Sequence, residues 1–102
     1  MNIAVIGDYE SPQYPEFLKK VKLAKPEETI MDLSRHPGHN WSKKLHARFE
    51  DISESHQVVI SSDYENSLDA RRDVSYAQEK HRECFIYNNG QFLPFPEYAP
   101  RV

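Results

Sequence analysis

Short apolar segments alternate with amphipathic segments along this chain, a pattern that predicts four strands and three helices. Residues 2–7 are apolar on both faces of a strand, which is typical of a buried parallel strand. Similar short runs occupy residues 29–33, 57–61 and 83–87. The three segments between these runs each place their apolar residues on one helical face. Asn89-Gly90 then predicts a hairpin turn into a short returning strand at residues 91–93.

The order of these elements predicts the fold class. A β-α-β-α-β-α-β order with right-handed crossovers gives a parallel sheet covered by helices on both faces. We therefore predict an α/β fold, a flavodoxin-like three-layer sandwich whose parallel strands lie in the order 2-1-3-4, with a short antiparallel edge strand. Residues 1–93 are predicted to form this single domain. Residues 94–102, which contain three prolines, are predicted to form an extended tail.

The composition limits the possible settings and partners. Only 38% of the 102 residues are hydrophobic, and no apolar run approaches the roughly 18 residues that cross a membrane. The first ten residues lack the features of a signal peptide. The single cysteine, Cys84, forms no internal disulfide, and we expect a cytoplasmic protein with a packed thiol. The net charge of −3 argues against nucleic acid as a partner, and we expect no membrane partner.

Ligands of parallel sheets bind outside the carboxyl ends of the strands, where this chain carries polar residues. A dinucleotide fingerprint needs three spaced glycines, but only Gly7 follows the first strand, and the Gly-Lys-Ser/Thr ending of a P-loop is absent. Asp8 and Asp63 loosely fit a phospho-accepting receiver domain. That reading requires a fifth parallel strand with a following lysine, which the chain lacks, so we reject it.

The histidines and the serine and cysteine residues do not predict a metal site or a nucleophile. His36, His39 and His46 lie within eleven residues, but a zinc site needs three or four converging ligands. Histidines on a loop and a helix surface are the simpler interpretation. We therefore predict no metal and no cofactor.

The carboxylates near the third predicted helix are the most informative residues. Asp63 follows the third strand, and Asp69 and Asp73 lie in the first two turns of the helix, on one side. A helix N-terminus keeps nearby carboxylates ionised, which suits a nucleophile or an acceptor for sugar hydroxyls. Ser67 can cap this helix, or can join the free N–H groups and the adjacent Arg71 and Arg72 in holding a phosphate. For Asp69 the alternative is ordinary first-turn capping, whereas Asp73 lies deeper, where aspartate is a poor helix former.

The segment from Asn66 to Ala77, Asn-Ser-Leu-Asp-Ala-Arg-Arg-Asp-Val-Ser-Tyr-Ala, resembles a signature of the nucleoside 2-deoxyribosyltransferase-like family. That signature reads approximately Ser-x-Gly-Ala-x-x-Glu-x-x-x-Ala and follows a strand with an acidic loop. The Gly7 turn after the first strand, His36-Pro37 after the second, and the helix from Trp41 to Ile52 stand in the family's order. The resemblance spans roughly residues 2–88.

The resemblance implies a site and an activity. The family's glutamate nucleophile attacks the anomeric carbon of a deoxyribonucleoside, displaces the base and holds a covalent sugar. It corresponds to Asp73 here, with Asp63 as the assisting acid. The implied substrate-binding residues are Gly7, Asp8, Tyr9, Ser67 and Asp69. The chain departs from the signature twice, with aspartate in place of the glycine at 69 and of the longer glutamate at 73.

Three hypotheses follow from the resemblance and its departures. The first is a nucleoside- or nucleotide-binding protein that cleaves the N-glycosidic bond or transfers deoxyribose, as a hydrolase or transferase. The second is a non-catalytic module that senses a nucleotide or binds a protein partner. The third is a structural subunit without a small ligand. Members of this family often complete their sites with a neighbouring subunit, so the resemblance also implies a homo-oligomer.

Overall fold

The computed structural model of this protein describes residues 1–35 and 41–95. The side chains of Trp41 and Ser42 lie outside the described groups. Several sequence predictions therefore fall outside the described residues. They concern His36, His39, the Trp41 side chain on the apolar face of the second predicted helix, and most of the C-terminal tail.

Secondary structure follows the predicted order of elements. The strands and helices are β1 (Asn2–Ile6), α1 (Tyr14–Ala24), β2 (Thr29–Asp32), α2 (Trp41–Glu54), β3 (Gln57–Ser61), α3 (Leu68–Glu79), β4 (Glu83–Asn88) and β5 (Gln91–Pro94). Short 3-10 turns at Leu33–Arg35 and Tyr64–Asn66 occupy segments where the sequence predicted the end of a strand and a loop.

The five strands form one sheet in the order β2-β1-β3-β4-β5. The pairs β1–β2, β1–β3 and β3–β4 are parallel, and β4–β5 is antiparallel. An α/β fold with a mostly parallel sheet is thus confirmed, while its assignment as flavodoxin-like stays a prediction. Because three parallel pairs end at the same edge, the loops after β1, β3 and β4 meet there.

The two faces of the sheet are covered by different helices. On one face α1 packs through Tyr14 and Val21 against Ile3, Val5 and Val59. On the other face α2 and α3 pack against the alternate residues of β1 and β3. The buried residues of this second cluster include Ala4, Ile6, Ile52, Val58, Ile60, Ala70, Val74 and Ala77. The alternation follows from the period of two along each strand.

The hairpin between β4 and β5 has the backbone that its sequence predicts. Asn89 and Gly90 have φ values of 51° and 83°, as a two-residue turn with two left-handed positions requires. Pro94 ends β5, one residue after the predicted strand, and the Phe95 N–H donates to the Cys84 carbonyl at 2.8 Å. Phe95 also packs against the second core cluster.

Across residues 1–35 and 41–95, no helix combines the length and the apolar character needed to cross a membrane.

Gly7 directly follows β1 at the carboxyl edge of the sheet, where neighbouring side chains leave little room for a Cβ atom. A Cβ atom at this position would stand 2.8 Å from Ser61 Oγ and 3.2 Å from Tyr14 Cδ1. We expect Gly7→Ala to lower the free energy of unfolding by about 1–3 kcal/mol, because the close neighbours must move. Urea denaturation measures this change. In a Ser61→Ala background the cost should shrink, and an equal cost in both backgrounds would rule out this contact as its cause.

Candidate functional site

The centre of the candidate site is Asp73, a carboxylate on α3 that is 0% exposed. Its Oδ2 atom accepts a hydrogen bond from the Tyr9 hydroxyl at 2.6 Å and another from Arg48 Nε at 2.7 Å. Both bonds are short and both donors come from other elements. The phenol and the guanidinium thus both donate to the same oxygen atom of the carboxylate, close to the carboxyl edge of the sheet.

Helix packing brings these groups together. Arg48 is on the stripe of α2 that contains Leu45 and Ile52, and Asp73 is on the stripe of α3 that contains Ala70 and Ala77. The two stripes face each other, with the Phe49 and Tyr76 rings stacked beside them at a centroid distance of 4.0 Å. Tyr9 enters from the loop after β1. The ion pair therefore lies where two helices and one loop converge.

A single guanidinium faces two carboxylates in this cluster. Arg48 Nη2 lies 3.4 Å from Asp69 Oδ1, while its Nε binds Asp73. The Arg48 Cζ atom is 5.4 Å from the centroid of the Tyr9 ring, a distance suited to a cation–π contact. The side chain of Asp69 is 38% exposed, so it faces the solvent on one side and Arg48 on the other.

Two buried polar atoms of the cluster are without hydrogen bonds to the described residues. They are Asp73 Oδ1 and Arg48 Nη2, an acceptor and a donor. Such atoms are rare in protein interiors because each costs about 1–3 kcal/mol when it is left unsatisfied. Uncompensated polar groups of this kind are found at functional sites as well as at positions filled by solvent.

Burial governs the ionisation of the cluster. Burial raises the pKa of Asp73 to about 6, even though the hydrogen bond from Tyr9 and the charge of Arg48 lower it, and the neighbouring Asp69 raises it further. Burial and the contact with Asp73 raise the pKa of Tyr9 well above its ordinary value. At neutral pH Asp73 is therefore mostly ionised, and Tyr9 is a protonated hydrogen-bond donor.

A cleft of about 480 Å³ opens beside this cluster. Four of the residues with a predicted binding role, Asp8, Tyr9, Ser67 and Asp69, lie together in its lining. Ser67 is the N-cap of α3, and its Oγ accepts the Ala70 N–H at 3.2 Å. The capping interpretation of Ser67 is confirmed, and its hydroxyl hydrogen remains able to donate into the cleft.

Asp63 lies in a different cleft. This second cleft, of about 720 Å³, lies between α1 and the ends of β3 and β4, and its lining includes Phe17, Tyr87 and Asn88. Asp63 accepts a hydrogen bond from the Ser61 hydroxyl, whereas the described partners of Asp73 are Tyr9 and Arg48. The two residues with a predicted catalytic role therefore do not share a site: Asp63 lines the second cleft, whereas Asp73 is 0% exposed and is not in the described lining of either cleft. Gly7 is buried beneath this edge, against Ser61 and Tyr14.

The histidines and the cysteine are the other groups that the sequence offers for metal binding or nucleophilic chemistry. Within the two described ranges, no three His, Cys, Asp or Glu side chains form a group that could hold a metal ion. His46 is exposed on α2. Cys84 is buried, which raises the pKa of its thiol to about 11 and makes it a poor nucleophile at neutral pH.

Arg48 is the site residue that sequence reasoning missed. It occupies a position on the apolar stripe of α2, three residues after Leu45 and four before Ile52. A charged residue on an apolar stripe needs a buried partner, and Asp73 holds the matching place on α3. The coincidence of two opposite charges on two inward stripes is the signal that could have found this pair.

No model of a protein family matches this chain. The curated proteins and the solved structures likewise give no match. The resemblance to the nucleoside 2-deoxyribosyltransferase-like family thus stays a prediction from the sequence.

Proposed function

We propose that this protein binds a nucleoside or nucleotide at the carboxyl edge of its sheet, on a flavodoxin-like scaffold. The observation that carries the proposal is the buried Asp73 carboxylate, joined to Tyr9 and Arg48 beside a cleft at this edge. A buried ionisable residue that has a perturbed pKa and lies next to a cleft is a physical mark of a functional site. The resemblance of residues 66–77 supplies the class of ligand.

The chemistry of the cleft suits a sugar. The carboxylates of Asp8 and Asp69 and the hydroxyl of Ser67 face the cleft and provide acceptors and donors for ribose hydroxyls. Tyr9 adds an aromatic side chain to the same lining. A volume of about 480 Å³ lies within the range of small-molecule pockets, which is about 300–1,000 Å³.

Cleavage of the N-glycosidic bond is the second candidate. The observation that favours it is the Oδ1 atom of Asp73, which accepts no hydrogen bond from the described residues. In this step Oδ1 attacks the anomeric carbon, a C–O bond forms, and the C–N bond breaks. The base leaves with the electron pair and takes a proton from solvent. Water or a second base then displaces the carboxylate. Because Asp73 is 0% exposed, the step requires the groups that cover this carboxylate to move aside.

Binding without turnover is favoured by the same burial. A nucleophile must touch its substrate, and one oxygen of Asp73 is already shared by two donors. Aspartate also reaches about one methylene less far than the glutamate of the family signature, and a misplacement of about 1 Å can cost about a hundredfold in rate. A sensor or interaction module is therefore the form of the proposal that asks for the least rearrangement.

A panel of the four deoxyribonucleosides and their 5′-monophosphates tests the proposal. We expect at least one compound to raise the melting temperature in a concentration-dependent way. Chromatography of the same mixtures detects free base. Release of base that Asp73→Asn reduces by about a hundredfold or more identifies an enzyme, and stabilisation without release identifies a binding module.

The matched control is Glu79→Gln, which removes an exposed carboxylate from the same helix. This variant should behave as the unmodified protein in both measurements. Neither stabilisation nor release of base with any compound of the panel would overturn the proposed function.

A further inference from the structure

The charges around the first cleft bear on which ligands it accepts. Arginine is a common phosphate ligand, but Arg48 is only 6% exposed and already faces two carboxylates, Asp69 and Asp73. With Asp73 ionised, this group of three carries a net negative charge. The two carboxylates therefore more than neutralise the positive charge of the guanidinium, which leaves none to attract an anionic ligand.

The cleft lining adds to this negative charge. Asp8 and Glu10 line the cleft beside Asp69, which belongs to the group of three, and the described part of the lining contains no lysine or arginine. The N-terminus of α3 attracts anions through its free N–H groups, but Asp69 lies in its first turn and Ser67 Oγ occupies the Ala70 N–H. One N–H group of this helix N-terminus is thus already bonded, and a carboxylate of the protein itself lies in its first turn.

Asp69 is suited to a different kind of contact. The side chain of Asp69 is 38% exposed to solvent on one side. On the other side it faces Arg48 Nη2, a buried donor without a hydrogen bond to the described residues. The Arg48 Nη2 atom and the Asp69 Oδ1 atom lie 3.4 Å apart, as an ion pair. A carboxylate accepts strong hydrogen bonds from hydroxyl groups.

We propose that the first cleft selects an uncharged, hydroxyl-bearing ligand, a sugar without phosphate, and that Asp69 is the residue that accepts its hydroxyl and excludes phosphate. The inference deepens the proposed function and rests on it: the ligand is a nucleoside rather than a nucleotide. The family signature has glycine at this position. The chain thus departs from the signature at the residue to which the proposal assigns the selection.

Calorimetric titration of the unmodified protein with deoxyribonucleosides and with their 5′-monophosphates is the test. We expect each bound nucleoside to bind at least about tenfold more tightly than its monophosphate, which corresponds to about 1.4 kcal/mol. Raising the salt concentration should narrow this ratio, because salt screens repulsion at an exposed cleft. The variant Asp69→Asn should narrow it as well, through weaker nucleoside binding and tighter monophosphate binding.

Glu65→Gln is the matched control, since it removes an exposed carboxylate from the turn before α3 and lies outside the described lining of both clefts. The ratio should be unchanged in this variant. Monophosphates that bind as tightly as nucleosides would overturn this inference while leaving the proposed function intact. A ratio that Asp69→Asn leaves unchanged would also overturn it. Binding of neither class would overturn the proposed function itself, and this inference with it.

Discussion

Replacing Asp73 with alanine is expected to lower the free energy of unfolding by about 3 kcal/mol at pH 7. The substitution removes a carboxylate that is 0% exposed and leaves the buried Arg48 guanidinium with Asp69 alone, at 3.4 Å. Tyr9 loses its acceptor at the same time. Urea denaturation followed by circular dichroism measures the loss, which is a large part of the roughly 5–15 kcal/mol that stabilises a typical domain.

A double substitution separates charge from packing. Arg48→Met combined with Asp73→Leu removes both charges and replaces them with apolar side chains of similar size. Exchanges of this kind at buried ion pairs are often neutral or stabilising, so we expect the double variant to recover most of the loss. A cost below about 1 kcal/mol for Asp73→Ala would show that this carboxylate does not compensate a buried charge.

The second large effect is a loss of stability as the pH rises from about 4 to above 6. The pKa of Asp73 is about 6 in the folded protein, against an ordinary value of 3.8. In this interval the folded state binds more protons than the unfolded state, so the contribution of Asp73 is fully present below pH 4 and is lost as the pH passes 6. One pKa unit corresponds to about 1.4 kcal/mol, so the loss approaches about 3 kcal/mol.

Asp73→Asn isolates this contribution, because asparagine keeps the shape of the side chain and does not titrate. The free energy of unfolding of both proteins is measured by urea denaturation from pH 4 to pH 8. The unmodified protein should lose about 3 kcal/mol relative to the variant across this interval. Parallel pH profiles would show that the pKa of Asp73 is not raised in the folded state.

Much of the architecture could be predicted from the sequence because its signals are local. The apolar run of residues 57–61 matches β3, Ser67 caps α3, and Asn89-Gly90 forms the hairpin turn. Each of these features depends on neighbouring residues only. The apolar stripe of Ala70, Val74 and Ala77 on α3 is likewise buried.

The residues that form the site could be predicted only in part. Which side chains meet depends on the direction in which each loop and helix faces. The family resemblance implied that Asp63 and Asp73, which both follow β3, form one catalytic pair. The 3-10 turn at Tyr64–Asn66 lies between them, so Asp63 faces the side of α1, while Asp73 faces α2. Arg48 was missed because local sequence does not show that the inward faces of α2 and α3 place opposite charges opposite each other.

The bond from Tyr9 to Asp73 has a consequence for the order of folding. It closes a loop of 64 residues, and the Arg48–Asp73 pair closes one of 25. Closing such loops costs chain entropy that grows slowly with loop length. The cluster forms only once α3 has docked on α2 and on the loop after β1, because its three groups come from these elements. A fragment that ends before α3 would contain three of the sheet's strands and no site.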